Sequence, residues 1–157
     1  MGVAIGLELI TRTSVERTDE WLCEKLRAIW RDHFADVPAL NPIEISYARP
    51  WKCRLGLITL TEKSKTSLIR LNRLLAHPGV PECVNTITIA HELVHYAHGF
   101  GSTLPRRYEH PHQGGIVKKE LVSRGFAEEH DRYVQWIDDH WFPFYHSLMG
   151  TRRGARC

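Results

Sequence analysis

His91-Glu92-Leu93-Val94-His95 has the form HExxH. On an α-helix, residues i and i+4 lie on one face, so both imidazoles can reach one metal ion. Glu92 stands about 100° further round the helix, because a turn holds 3.6 residues. From there its carboxylate can approach a water on the metal without ligating the ion itself. That is the arrangement of a zinc hydrolase with a glutamate general base. A shuffled chain of this composition would carry the pattern roughly 0.05 times, so the flanking sequence has to support it.

A catalytic zinc centre takes three protein ligands and leaves one position open. The downstream candidates for the third ligand are His98, Glu109, His110, His112 and Glu120. His98 could share the face of His91 and His95, but Gly99 follows at once. His112 is favoured: it comes one residue after Pro111, in the first turn of a further expected helix, where the backbone is held. The stretch 99–110 is long enough to bring that helix back over the motif. Glu120 lies two turns beyond His112 on the same face, either as a glutamate ligand or as a support for a ligand. Glu109 and His110 remain as less favoured ligands. Tyr108, His98 and His110 are candidate donors to the oxyanion that develops during peptide hydrolysis.

The elements that position these groups follow from periodicity. Val84, Ile87, Ile89, Ala90, Leu93 and Val94 surround the motif with apolar surface, so it belongs on a buried helix of roughly 15–18 residues. Pro78, Gly79 and Pro81 precede it, and Gly99 and Gly101 suit its end. Trp21, Leu22, Leu26, Ile29, Trp30 and Phe34 predict a helix from about Val15 to Phe34, with capping candidates from Thr13 to Glu16 and at Thr18. Ile43, Ile45 and Tyr47 alternate with polar residues as a strand. Leu55 to Thr61 and Ser67 to Leu71 give two more, joined by Glu62-Lys63-Ser64-Lys65. Short polar turns favour an antiparallel meander. The segment Leu68, Ile69, Arg70, Leu71 is a candidate sheet edge to which an extended peptide could add; an ordinary edge blunted by Lys65 and Arg70 is weighted equally. A helix from Pro111 to Arg124 stops at Gly125, and a last one from Ala127 to Trp141 ends at Pro143. The expected fold is α+β: a small three-stranded antiparallel sheet packed on the motif helix, with an N-terminal helix and two C-terminal helices. One domain spans 1–157, its core about 15–146 and its tail, 147–157, frayed.

Bulk properties exclude other classes. The 157 residues are 43% hydrophobic and 25% charged, which argues against disorder and fibrous repeats. A net charge of +3 with His neutral is too small to imply nucleic acid. The basic residues Lys52, Arg54, Arg106, Arg107, Lys118, Lys119, Arg152 and Arg153 come in short pairs, so a solvated surface is the default and a nucleic-acid groove the minority reading. Cys23, Cys53, Cys83 and Cys157 form no C-x-x-C pair, and such cysteines suit a reducing cytosol without a disulfide framework. Met1 to Ile10 lacks a basic n-region, Gly6 stands where a myristoylation signal wants Ser or Thr, and no apolar run approaches about 20 residues. A cytoplasmic protein without a membrane partner is expected.

Three segments together resemble the SprT-like zinc metallopeptidase domain. Leu55-Gly56 with Ile69-Arg70-Leu71-Asn72 and Leu74-Leu75 is similar to that family's hairpin. Thr88 to Tyr96 matches around the HExxH motif. His112 with Lys118, Glu120, Leu121 and Gly125 matches the third ligand and the glycine thirteen positions beyond it. The family often has His-Gly where this chain has His112-Gln113, and the zinc ribbon that many members carry is not found in this sequence. The resemblance implies a zincin-like fold, Zn2+ bound by His91, His95 and His112, Glu92 as general base, and a protein or peptide substrate. Two rival readings stand beside it: a metal-stabilised DNA- or protein-binding module with little or no catalysis, and a zinc hydrolase of a non-peptide bond. The sequence leaves the oligomeric state open.

Overall fold

The computed structural model describes residues 15–150. The apolar spacing of the N-terminal segment produces α1 (Asp19–His33), which buries Leu22, Leu26 and Ile29. It begins four residues later than Val15 because Thr18 caps it, its side-chain oxygen accepting from Trp21 N at 3.2 Å. The capping candidates Thr13 and Ser14, like Met1 to Ile10, lie outside the described residues. Asp19 then fastens α1 to the sheet: its Oδ1 accepts from Tyr47 N at 2.9 Å.

The three strands fall at β1 (Ile43–Tyr47), β2 (Gly56–Leu60) and β3 (Ser67–Leu71). Their order is β1-β3-β2, with β3 antiparallel to β2 and parallel to β1. The sheet is therefore mixed, and the antiparallel meander expected from the turns is wrong. The Lys63 turn does make a β2–β3 hairpin. The eight residues from Ala48 to Leu55, however, carry the chain past an empty strand position, which β3 then fills. Ser67, Ile69 and Leu71 are buried, as a central strand requires.

Asn72, itself fully buried, holds that eight-residue loop. Its Nδ2 donates to Trp51 O at 2.7 Å and to Arg54 O at 2.8 Å, and its Oδ1 accepts from Leu74 N at 3.0 Å. Thus the residue after β3 sets where β2 begins. Cys53 in the same loop is disulfide-bonded, whereas Cys23 and Cys83 are free.

A short 3₁₀ turn (Arg73–Ala76) leads to α2 (Glu82–Ala97), the motif helix, whose 16 residues fall within the expected length. It is buried on nearly every side because it packs against the sheet, α1 and the two later helices. Two of its buried polar residues are held by hydrogen bonds. Thr88 Oγ1 donates to Val84 O at 2.7 Å, and Asn85 joins Tyr47 OH (2.9 Å) to Leu75 O (3.0 Å). Downstream come α3 (Ile116–Ser123) and α4 (Ala127–Met149). α4 does not stop at Pro143. Trp141 stacks with Phe144 and Tyr145 at 6.3 and 6.1 Å, and Phe144 meets His77 at 5.3 Å. This aromatic packing offsets the roughly 3 kcal/mol that an interior proline costs. Residues 147–149, expected in a frayed tail, are thus helical, while 151–157 lie outside the described residues. Among the described residues no helix is long and apolar enough to cross a membrane.

Candidate metal centre

Helical spacing places His91 and His95 on one face of α2, with their Nε2 atoms 3.0 Å apart. His112 Nε2 lies 3.1 Å from the first and 3.0 Å from the second. Each ring nitrogen has one in-plane direction for a lone pair or a hydrogen, and all three point into one small triangle. A shared cation satisfies such a triangle, whereas pairwise hydrogen bonds cannot. Nitrogens held tetrahedrally at about 2.0–2.1 Å from a metal stand about 3.3 Å apart, close to what is seen. His91, His95 and His112 are the only such cluster among the described residues and can bind a metal ion.

His112 does not sit in the first turn of a helix as the sequence indicated. It precedes a 3₁₀ turn (Gln113–Gly115), and α3 starts only at Ile116. Gly114 and Gly115 both have positive φ, 61° and 66°, which glycine adopts without the Cβ clash of other residues. Gln113 closes the turn, its Oε1 accepting from His110 N at 3.0 Å. The ring of His112 is therefore presented by a glycine-permitted turn rather than by helix register.

Burial, reinforced by the neighbouring imidazoles, pushes His91 down to about 4 and His95 down to about 3. Both rings are neutral at pH 7, the form that ligates. His95 Nδ1 is buried with no hydrogen-bond partner among the described residues. Packing orients the ring instead, with Phe100 nearly perpendicular at 6.3 Å.

Glu92, only 5% exposed, turns from the same helix toward β2. It lies so close to Gly56 that a Cβ there would stand 3.1 Å from Glu92 Oε1 and 2.7 Å from Thr88 Cγ2. Burial raises its carboxyl to about 8, against the positive charge of Arg54. A metal cation beside it would favour the carboxylate.

The remaining candidates separate from this cluster. Glu109 and His110 are exposed and face each other at 3.9 Å, so neither is a ligand here. Glu120 is not aligned with His112, because the glycine turn breaks the helical register. It meets His98 Nε2 at 2.5 Å and Arg124 at 3.5 Å. His98 also stacks edge-on with Tyr108 at 4.8 Å, and these two share a surface depression with Glu120. Burial lowers the His98 pKa against the upward pull of Glu120. Tyr108 and His98 thus line a depression that does not include His91, His95 or His112, and His110 is exposed. Tyr133 of α4 is placed otherwise. It lines one cavity with His91, Glu92 and His112, and burial, together with the Glu92 carboxylate, raises its phenol. Its spacing with Ile137 and Trp141 reads as a plain core stripe, and a phenol within that stripe is the only signal the sequence offers.

The strand expectation also changes. Leu68, Ile69, Arg70 and Leu71 belong to the central strand, bonded on both sides, and cannot accept another strand. The free edge near the triad is that of β2. Asn72 N donates to Leu55 O and Thr61 N to Thr66 O, at 2.7 and 2.9 Å. Stepping by two, Leu57 and Thr59 bond to β3, so the main-chain groups of Gly56, Ile58 and Leu60 point outward. A groove of about 380 Å³ follows this edge past His91, His95, Phe100 and His112.

Comparison with known proteins gives no matching family model, no matching curated protein and no matching solved structure.

Proposed function

We propose that the protein is a zinc-dependent metalloendopeptidase of the SprT-like type, with His91, His95 and His112 as ligands and Glu92 as general base. The observation that carries this reading is the convergence of three imidazole nitrogens beside a buried glutamate at one end of a free strand edge. Three imidazoles with an open fourth position are a typical catalytic donor set for zinc. Zinc bound there would acidify a water and polarise the scissile carbonyl. Glu92 takes the proton on its carboxylate and hands it to the leaving amine. The Tyr133 hydroxyl donates to the negative charge developing on the carbonyl oxygen. The outward main-chain groups of Gly56, Ile58 and Leu60 hold the peptide as an added strand. A closed structural zinc site has no need of Glu92, which weighs against a mere binding module.

The test is digestion of an unfolded protein or peptide mixture by zinc-loaded protein, with and without chelator, beside zinc-loaded Glu92→Gln. Cleavage by the parent, its loss with chelator, and an inactive variant at equal zinc content are expected. A Glu92→Gln protein that cuts as fast as the parent would overturn the assignment.

A further inference from the structure

A second cavity, of about 510 Å³, opens beside Glu92 and does not reach His95. This lies within the range of ordinary small-molecule pockets, about 300–1,000 Å³. One wall is a stripe of α4: Tyr133, Ile137 and Trp141, spaced by four residues and therefore on one face. Leu55, just ahead of β2, lines it as well, and Phe142, 46% exposed, stands among its lining residues. The wall is pinned. Trp141 is 3% exposed, its indole N–H donates to Lys52 O at 2.7 Å, and its ring packs against Trp136 at 6.4 Å. The cavity is thus preformed and mostly apolar along α4, with Lys52 and Arg54 also in its lining.

Its place relative to β2 gives it a direction. The edge groove runs along Gly56 to Thr59, and the cavity begins where that edge ends, at Gly56 and the residues before it. A peptide antiparallel to β2 would enter at Leu60 and run its C-terminal half toward Gly56. Glu92, which must reach the leaving amine, lines this same cavity with Tyr133. Both considerations put the residue that follows the cleaved bond at the cavity mouth.

We infer that this cavity selects substrates by the side chain immediately C-terminal to the cleaved bond, and that it takes a large apolar or aromatic one. The inference rests on the peptidase reading for its direction, while the preference itself can be read without catalysis. A methylene more or less in an apolar pocket changes discrimination about 10- to 200-fold, so phenylalanine or leucine should exceed alanine at that position by about 10-fold or more.

The experiment has two arms. Zinc-loaded Glu92→Gln is titrated with fluorescent peptides that differ only by Phe, Leu, Ala or Asp at one position. The Phe and Leu peptides should bind about 10-fold or more tighter than the Ala and Asp peptides; equal affinities would overturn the inference. Zinc-loaded parent is then given a peptide mixture, and the cleavage sites are mapped. Large apolar residues should follow the cut, and their absence there, or their enrichment on the other side, would overturn it. Ile137→Trp narrows the cavity and should move the preference to alanine and glycine. If that variant fails to fold, Phe142→Ala at an exposed position should reduce the Phe preference several-fold. An unchanged preference in the folded variant counts against the inference. Selective binding to Glu92→Gln with no cleavage by the parent would keep the apolar preference and remove the hydrolase reading.

Discussion

Replacing Gly56 by alanine tests the contact between the sheet and the motif helix. The added Cβ would stand 2.7 Å from Thr88 Cγ2 and 3.1 Å from Glu92 Oε1. Carbon atoms pack at about 3.5–4.0 Å, so the first contact is short by about 0.8–1.3 Å. Gly56 has no positive φ, hence the backbone itself tolerates alanine. α2 cannot retreat, because it is buried on nearly every side. Overpacking of this kind costs about 1–3 kcal/mol, and the stiffer unfolded chain returns about 0.4–1 kcal/mol. A net loss of about 0.5–2 kcal/mol is expected in urea unfolding. Activity should fall further, since displacing a catalytic group by about 1 Å costs on the order of 100-fold. Thr88→Ser removes the offending methyl and keeps the hydroxyl bond to Val84 O. The double variant should therefore recover about 1 kcal/mol relative to additivity, while the contact with Glu92 leaves activity low at unchanged zinc content. A Gly56→Ala variant that matches the parent, or a strictly additive double variant, would refute the steric reasoning.

Asn72→Ala strands two carbonyls and one N–H and should cost about 2–4 kcal/mol in denaturant unfolding, with activity impaired because the loop into β2 loses its tie. Tyr133→Phe should lower kcat about 10- to 100-fold with KM, zinc content and melting temperature nearly unchanged; stopped-assay kinetics at equal zinc loading would check this. Metal-free protein should have a stability maximum near pH 6.5, measured by thermal melts after chelation. His91 and His95 titrate at about 4 and 3 when folded, against 6.5 ordinarily. The unfolded chain then binds more protons below pH 6.5, so stability is lost as pH falls through that window. Glu92 titrates at about 8 when folded against 4.5 ordinarily, so the folded chain holds the extra proton and stability declines as pH rises toward 8. Glu92→Gln should abolish the decline above pH 6.5.

The convergence of His91 and His95 is readable from sequence because helical geometry is local: once Val84 to Val94 define a buried helix, the faces of both histidines follow. His112 is favoured for a partly mistaken reason. Pro111 suggests a helix start around it, yet Gly114 and Gly115 hold it in a turn outside α3. The same turn removes Glu120 from the site, since register arguments fail across a break in the helix. The sheet order is not legible because the loop that joins β1 to β2 is of ordinary composition, and nothing local distinguishes a skipped strand position from a hairpin. Consequently the free edge lies one strand away from where the sequence suggests, on β2 rather than β3. Pro143 reads as a stop because its local cost is visible in the sequence, whereas the packing of Phe144 on His77 is not. Tyr133 is hidden by the same limit: only the fold brings α4 across the motif helix.

X-ray absorption at the zinc edge of the purified, zinc-reconstituted protein bears most directly on the convergence of three imidazoles on one ion. One zinc per chain is expected, with three imidazole nitrogens at about 2.0–2.1 Å and one further light atom, and with one nitrogen fewer in His112→Ala. A sulfur ligand, a first shell unchanged in His112→Ala, or no tightly held metal would contradict it.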